Sequence, residues 1–265
     1  MKKLLFAFIA MLAMASCTEG GKTLVLYYSQ TGATKAVAEE FAAQLGADIV
    51  SFDVEDPYSG TFDETIARCL SEKAAGTVPA LAALNVDLSK YDVVFLGYPV
   101  WFGTYAPPVT SLLKTVDFNG KVLVPFCTFG SGGLNTSSAD LKAALPAVDI
   151  REGYGVRNAR VKAAPAEIEQ FLIASSFKEG VKEVLPEFSE QTPVTEEDVV
   201  VFDAACSDYQ MPLGSPVTVG KRERIDGTEY LFVAESTGAD GQVAASKIYV
   251  IAPAGQTPEF TQVVR

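Results

Sequence analysis

The sequence predicts an α/β protein: a doubly wound, five-stranded parallel sheet followed by a small α+β domain of one helix and an antiparallel meander. Two observations favour this fold class. Apolar strands alternate with amphipathic helices five times between residues 23 and 177, a pattern typical of a parallel sheet covered by helices on both faces. After residue 178 the alternation stops, and one helix is followed by four strand-like segments.

Each element of the first region has a local reason. The strands are short, nearly continuous apolar runs, typical of strands buried on both faces, at 23–28, 48–53, 92–98, 121–126 and 148–153. Apolar residues recur at helical spacing over 34–45, 61–73, 138–145 and 165–177. Pro107 and Pro108 open one further helix, at positions where a missing N–H is harmless. In the helix over 61–73, Ile66 and Leu70 are expected to face the core.

The second region follows a segment, 179–194, whose two prolines and several acids predict a linker. Thr195 is placed to N-cap a helix that ends near Cys206, because three acids follow it at the positive end of the helix dipole. Asp226-Gly227 is a strong hairpin signal among strands expected at 217–223, 229–235, 246–251 and 260–264. Residues 195–265 therefore predict a small α+β domain, whose role the sequence does not indicate.

The N-terminus carries a targeting pattern. Two lysines precede an apolar run, 4–15, which is too short to cross a bilayer and is typical of a secretory signal peptide. The segment MASC at 14–17 resembles the bacterial lipobox, although Leu is more usual at its first position. The resemblance implies a signal peptide over 1–16, lipidation of Cys17, a tether over 17–22 and an exported lipoprotein anchored to a membrane, at the periplasmic face or the cell surface. Ordinary secretion with Cys17 unmodified is the alternative.

The composition excludes several function classes. The formal net charge of −12 argues against nucleic acid as a partner, since its phosphates require a basic surface. The chain contains no histidine, which removes the commonest general base, the usual catalytic triads and most zinc sites. Cys69, Cys127 and Cys206 match no metal-ligand spacing; export would permit one disulfide, but the sequence does not select the pair. We therefore predict neither catalytic residues nor a metal site.

Three loops, each following a predicted strand, are candidates for a binding site. In an open α/β sheet, ligands bind beyond the carboxyl ends of the strands. The first loop, SQTGAT at 29–34, offers hydroxyls, a glycine and free N–H groups at the start of a helix, a combination that suits a phosphate. It lacks the lysine of a nucleoside-triphosphate P-loop. The alternative is that Ser29 or Thr31 simply caps the helix.

The other two loops add aromatic residues and glycines. The segment GYPVWFGTY at 97–105 holds the single tryptophan of the chain, and such residues can wall a flat, partly apolar ring. The alternative is that Trp101 and Phe102 close the edge of the core. The segment CTFGSGGLN at 127–135 would let backbone amides approach a ligand closely. It is not the dinucleotide fingerprint GxGxxG, because Asn135 stands where the third glycine is required.

These segments carry a resemblance to a known family. SQTGAT matches the flavodoxin pattern Ser/Thr-x-Thr-Gly-x-Thr, and GYPVWFGTYAPPV and VPFCTFGSGG are further matches, so that residues 23–178 resemble flavodoxins, in particular bacterial flavodoxin-like lipoproteins. The resemblance implies bound FMN. Its phosphate is expected on Ser29, Gln30, Thr31, Gly32, Ala33 and Thr34, and its ring between Pro99, Val100, Trp101, Phe102 and Gly103 on one side and Thr128, Phe129, Gly130, Ser131 and Gly132 on the other. Related sequences often carry His where Phe129 stands, so polar contact with the flavin pyrimidine is expected from the backbone.

The resemblance implies an FMN-binding electron-transfer protein that exchanges electrons with redox partner proteins or a small-molecule acceptor. Such a carrier needs no proton-handling triad, because the chemistry belongs to the cofactor. Two alternatives stay open at this stage. One is an FMN-dependent oxidoreductase of the NAD(P)H:quinone type, and the other is a lipoprotein without flavin that binds a ligand through residues 195–265. The sequence indicates neither the oligomeric state nor the electron donor and acceptor.

Overall fold

The computed structural model describes residues 22–238 and 240–265, which form two β-sheets with their own helices. The expected signal peptide, Cys17 and nearly all of the tether lie outside the described residues. No helix within the described ranges is long and apolar enough to cross a membrane.

The first sheet is parallel and has five strand positions. Its strands are β1 (Thr23–Tyr27), β2 (Asp48–Ser51), β3 (Val93–Trp101), β4 (Thr104–Tyr105), β5 (Val122–Phe129), β6 (Asp149–Ile150) and β7 (Tyr154–Arg157). The spatial order is β2-β1-β3-β5-β6, with β7 beside β5 and the short β4 antiparallel to β3. The predicted doubly wound α/β class is confirmed, and the strand order reverses direction between β1 and β3.

The helices of this region begin and end where the local sequence dictates. They are α1 (Ala33–Leu45), α2 (Phe62–Ala75), α3 (Pro107–Thr115), α4 (Leu134–Ala144) and α5 (Ala164–Ala174). Thr61 and Glu64 form a capping box at the start of α2, and Gly46 ends α1 in the left-handed conformation. Short 3-10 turns lie at Leu88–Lys90 and Asn158–Ala163.

One helix is rotated relative to its expected orientation. The buried positions of α2 are Thr65 and Cys69, whereas Leu70 is exposed and Ile66 only half-buried. Thr65 is drawn inward because its hydroxyl accepts a hydrogen bond from Gln30 Nε2 at 2.8 Å. The expectation that Leu70 faces the core is therefore wrong.

The boundaries of the last sheet elements also differ from expectation. The fifth strand is interrupted: β6 and β7 both pair with β5, and between them Arg151 still donates its N–H to the Leu123 carbonyl at 2.9 Å. Pro125 of β5 lies opposite this interruption and has no N–H for a ladder hydrogen bond. Helix α4 begins at Leu134, directly after Gly133, instead of at residue 138.

The parallel sheet is buried on both faces. One apolar cluster includes Leu24, Leu96 and Leu112, and the other includes Phe41, Phe95 and Phe126. Helices therefore cover each face, which leaves only the ends of the strands open for a ligand.

The second sheet is antiparallel. It comprises β8 (Thr192–Pro193), β9 (Ser215–Arg224), β10 (Gly227–Thr237), β11 (Val243–Pro253) and β12 (Glu259–Val264), in the order β12-β11-β10-β9-β8. Helix α6 (Glu196–Cys206) starts with a Thr195–Asp198 capping box, and Phe202 packs against Phe232 in a third apolar cluster. The helix and the hairpin at Asp226-Gly227 occur as predicted. The linker segment contributes β8, which was not expected.

Candidate functional site

The three candidate loops leave the carboxyl ends of β1, β3 and β5, which are neighbours in the sheet. They also touch one another. Thr34 Oγ1 and Thr128 Oγ1 form a hydrogen bond of 2.9 Å between the first and third segments. The rings of Tyr28 and Trp101, next to the first segment and within the second, meet edge to face with centroids 6.0 Å apart. The structure thus brings the three segments together at the topological switch point, where open α/β sheets bind ligands.

The Ser29–Thr34 segment forms a cradle of backbone amides at the start of α1. Ser29 Oγ accepts hydrogen bonds from the N–H groups of Gly32 and Lys35, each at 3.2 Å. Gly32 holds this turn with φ of 94°, in the region that favours glycine. Since two N–H groups converge on one oxygen at a helix N-terminus, the geometry suits an oxygen of an anion.

Two cradle side chains have structural partners. Gln30 Nε2 donates to the Tyr58 carbonyl at 3.2 Å and to Thr65 Oγ1, which ties the cradle to α2 and the segment before it. The Thr34 side chain is buried against Thr128. Of the hydroxyl residues in this segment, Thr31 is exposed, Ser29 is half-buried and Thr34 is buried. Of the predicted phosphate-binding side chains, Gln30 and Thr34 therefore hold the cradle in shape.

The aromatic segment is a strand and a tight turn, not the loop expected from the sequence. Strand β3 continues through Pro99, Val100 and Trp101, and Trp101 pairs with Thr104 of β4. The turn consists of Phe102 and Gly103, with φ of 52° and 83°, as in a two-residue hairpin turn of type I′. Phe102 is 62% exposed. A phenylalanine in the left-handed region is uncommon and points to a local constraint.

Trp101 is half-buried between the sheet and α2. Its ring lies edge to face against Tyr58, with centroids 5.2 Å apart, as well as against Tyr28. Burial and the hydrogen bond to Glu72 raise the pKa of Tyr58, and burial raises the pKa of Tyr28. Both phenols therefore stay neutral at physiological pH. Trp101 does close part of the core edge, as the alternative held, although it is only half-buried and also lines a cavity.

The glycine segment is shorter than expected, because β5 extends through Thr128 and Phe129. We call residues Gly130–Gly133 the glycine loop. Phe129 is buried, so its ring belongs to the core and only its backbone is available to a ligand. At Gly133 a Cβ atom would lie 2.6 Å from Val100 Cγ1. Glycine is therefore required where the glycine loop passes the end of β3.

Sequence reasoning missed the residues that hold the glycine loop. Arg157 Nε donates to the Gly130 carbonyl at 3.0 Å, and the Val263 N–H donates to the Ser131 carbonyl at 2.7 Å. Arg157 ends β7 and is almost fully buried. The sequence could have indicated Arg157, because it is a charged residue at the end of a buried strand. The carboxyl ends of all five strand positions meet at this edge of the sheet. Nothing in the sequence signalled Val263.

The cysteines do not contribute reactive groups to the site. Cys69, Cys127 and Cys206 are all free. Burial raises the pKa of the Cys206 thiol to about 12, and burial also raises the pKa of Cys69 and Cys127. The thiols therefore stay protonated and behave as small apolar side chains. Among the described residues, no cluster of three or more metal-ligating side chains occurs.

Parallel sheet, strand order and amide cradle define the class of flavodoxin-like α/β proteins. The flavodoxin family model matches residues 22–178, more than half of the chain. The chain therefore belongs to the flavodoxin family. No curated protein matches the chain.

Several solved structures are similar to this chain. A protein from Bacteroides uniformis ATCC 8492, provisionally named a flavoprotein, is 26% identical with a TM-score of 0.51, covering 57% of this chain and 99% of its own. A similarly named protein from Bacteroides eggerthii DSM 20697 is 28% identical with a TM-score of 0.48, covering 56% and 98%. A flavoprotein from Lactobacillus acidophilus NCFM, solved in complex with FMN, is 23% identical with a TM-score of 0.47, covering 54% and 97%. All three similarities leave nearly half of this chain uncovered.

Proposed function

We propose that the protein binds FMN and transfers electrons through it. The observation that carries this proposal is the amide cradle at Ser29–Thr34, which lies at the switch point of a flavodoxin-family sheet. When bound, FMN would supply one- and two-electron redox chemistry. The protein's task is to bind the cofactor, orient it and limit its exposure to water.

The cradle fits one terminal phosphate. The N–H groups of Gly32 and Lys35, which now share Ser29 Oγ as acceptor, would donate to phosphate oxygens. Such bonds to a charged acceptor are about twice as strong as neutral ones. Thr31, whose side chain is exposed, would add a hydroxyl donor. The helix N-terminus contributes further favourable electrostatics.

The two segments beyond the cradle would hold the flavin ring. The Phe102-Gly103 turn and the glycine loop lie on neighbouring strands, and Gly133 is in contact range of Val100. These segments offer an apolar wall at Val100 and Trp101 and backbone amides at the glycine loop. The ring-flanking residues predicted from the sequence are retained in this proposal, except that the side chain of Phe129 makes no contact.

An electron carrier agrees with the side chains at the site. The chain has no histidine, and burial raises the pKa of Tyr28 and of Tyr58. No group poised to exchange protons near neutral pH therefore lies against Trp101. Electron transfer without proton relay through the protein requires none.

The absorption spectrum of soluble protein expressed from Thr18 tests the proposal. Purified protein should be yellow, and denaturation should release FMN. Colourless protein that stays colourless after incubation with excess FMN would contradict flavin binding. It would favour instead a lipoprotein that acts through residues 195–265.

A second candidate function, an NAD(P)H:quinone-type oxidoreductase, is favoured by one observation. A cavity of about 600 Å³ lies beside the aromatic segment and is lined by Trp101, Phe102, Tyr105 and Leu70. This volume would admit a small flat acceptor. Steady-state NAD(P)H oxidation in the presence of a soluble quinone separates the two functions. A pure electron carrier would not oxidise NAD(P)H catalytically.

We also propose that the mature protein is anchored to a membrane through lipidated Cys17. The supporting pattern is the basic, apolar and small-residue order of positions 2–17. The Cys17→Ser variant should be left as an unprocessed or a soluble exported protein, because the acyl chains provide the attachment. Persistence of this variant in carbonate-washed membranes would contradict lipidation as the anchor.

A further inference from the structure

The C-terminal sheet touches the parallel sheet at the glycine loop. The outer edge of β12 provides the Val263 N–H, which bonds to the Ser131 carbonyl at 2.7 Å. A Cβ atom at Gly132 would lie 2.8 Å from the Val263 carbonyl oxygen. The backbones of β12 and of the glycine loop are therefore in direct contact.

The Arg157 side chain also bonds to both the glycine loop and β12. Its Nε donates to the Gly130 carbonyl at 3.0 Å, and its Nη1 donates to the Phe260 carbonyl of β12 at 3.0 Å. The guanidinium also lies 4.3 Å from the centre of the Phe260 ring and 3.4 Å from Asp208 Oδ1. Because the buried guanidinium is planar and rigid and donates in two directions, it fixes the glycine loop and β12 relative to each other.

These contacts determine how the loop peptides are oriented. The peptide bonds are trans, so the C=O and N–H of each planar peptide point in opposite directions. The carbonyls of Gly130 and Ser131 are held toward Arg157 and β12. The Ser131 N–H is consequently turned away from Arg157, and the Gly132 N–H is turned away from β12.

We propose that the C-terminal sheet is a built-in support of the cofactor site, in which Arg157 and the Val263 N–H position the Ser131 and Gly132 amides as donors to the flavin ring. This inference rests on the proposed function. It assigns a role to residues 195–265, which lie beyond the match to the flavodoxin family. Arg157 acts here as a positioning residue, because it reaches the ring only through the glycine loop.

Two variants of the full-length soluble protein remove these contacts singly. Val263→Pro deletes one N–H on the outer edge of β12, a position where proline is tolerated in a sheet. Arg157→Met removes the guanidinium but keeps an unbranched side chain. Each variant should bind FMN at least tenfold more weakly. Riboflavin affinity should fall by the same factor, since the affected contacts are to the ring and not to the phosphate.

Matched controls separate positioning from a loosened interface. Val263→Ala keeps the N–H. Arg160→Met removes another link between the two domains, the 2.7 Å ion pair with Glu259, together with the 2.6 Å ion pair with Glu167, and leaves the Arg157 and Val263 bonds to the glycine loop in place. Both controls should bind FMN as the unmodified protein does. Equal losses in Arg157→Met and Arg160→Met would overturn the inference, as would unchanged binding in Val263→Pro.

The midpoint potentials of bound flavin provide a second readout, which a change in packing alone would not alter. Loss of the Arg157 charge should shift the potentials of bound flavin to more negative values, and a tenfold change in relative affinity of the two redox states corresponds to about 59 mV. Arg160→Met should leave them unchanged. The proposed function and the positioning role fail in different ways. If the unmodified protein binds no flavin, the proposed function fails. If it binds flavin and the potentials are unaltered in Arg157→Met, only the positioning role is rejected.

Discussion

The cradle and the glycine loop flank the same edge of the parallel sheet but are held in place by different means. The cradle is held from within its own domain: Ser29 Oγ accepts from the N–H groups of Gly32 and Lys35, and Gln30 and Thr34 bond to Thr65 and Thr128. The glycine loop is held by Arg157 and by Val263 of the C-terminal sheet. The bond from Arg157 to Phe260 joins residues 103 positions apart.

This difference predicts that the two parts of the proposed flavin site, the cradle and the glycine loop, can be altered independently by substitution. The cradle depends on contacts within residues 22–178, so its shape does not require the C-terminal sheet. A loop held from a second domain depends on the contact between domains. Variants of the cradle should therefore act on phosphate recognition, and variants at the domain contact should act on the ring.

The largest effect is expected in the cradle, from Thr31→Ala combined with Thr34→Ala. The double variant removes an exposed hydroxyl and the buried partner of Thr128. A hydrogen bond to a charged group contributes about 1.5–3 kcal/mol, so FMN affinity should fall at least tenfold in a fluorescence titration. Riboflavin binding should change little. Thr31→Ser with Thr34→Ser, which keeps both hydroxyls, is the control, and an equal loss for FMN and riboflavin would refute the local phosphate role.

The aromatic segment is tested by Trp101→Ala. Stacking on a flat ring contributes roughly 1–3 kcal/mol, so FMN should bind about tenfold or more weakly. The unmodified protein reports on the same contact, because Trp101 is its single tryptophan: its fluorescence should be quenched by FMN and recover on removal. Trp101 also packs against Tyr58, so unfolding must be measured in parallel. Lower stability with unchanged FMN affinity would show that Trp101 packs in the core and does not contact the flavin.

The domain contact is tested by Gly132→Ala with Gly130→Ala as its matched control. At Gly132, where φ is 157°, a Cβ atom would be strained by the backbone and would also collide with the Val263 carbonyl oxygen, whereas Gly130 has no positive φ and nothing within 4 Å of a Cβ. Overpacking of this kind costs about 1–3 kcal/mol. Thermal unfolding should therefore begin at a lower temperature in Gly132→Ala only. If the two variants behave alike, the glycine loop is not held by β12.

The smallest effect is expected at the hairpin turn, from Gly103→Ala. The observed φ of 83° is disfavoured by a Cβ atom by about 1–2 kcal/mol. If the preceding peptide changes orientation with redox state, the one-electron midpoint potential should shift by some tens of millivolts, on the scale of about 59 mV per tenfold change. FMN affinity should stay nearly intact. Unchanged potentials in a redox titration at fixed pH would exclude a peptide flip at this residue.

The sequence predicted the parts of the fold that local patterns determine. Buried parallel strands such as β1 are continuous apolar runs, and the capping box that starts α6 is a short motif. The antiparallel hairpin between β9 and β10 was predictable because Asp-Gly is a strong hairpin signal, although the turn residues are Ile225 and Asp226 and Gly227 begins β10. The doubly wound sheet and the following α+β domain were inferred from such signals.

The remaining features depend on contacts that no local pattern reveals. The extension of β3 into a hairpin required a phenylalanine at positive φ, a conformation that residue type disfavours. The inward turn of Thr65 in α2 depends on Gln30, far away in sequence. The contact between Val263 and the glycine loop is a backbone hydrogen bond, which any residue except proline could make, so the sequence carries no sign of it.

Comparing the affinities of the apoprotein for FMN and for riboflavin tests the central claim most directly. The two ligands share the ring and differ in the phosphate, so their ratio isolates the cradle from the glycine loop. Two or more charge-assisted bonds of about 1.5–3 kcal/mol each predict that FMN binds tighter by at least two orders of magnitude, with weak FAD binding. Equal affinity for FMN and riboflavin would contradict a phosphate site at Ser29–Thr34.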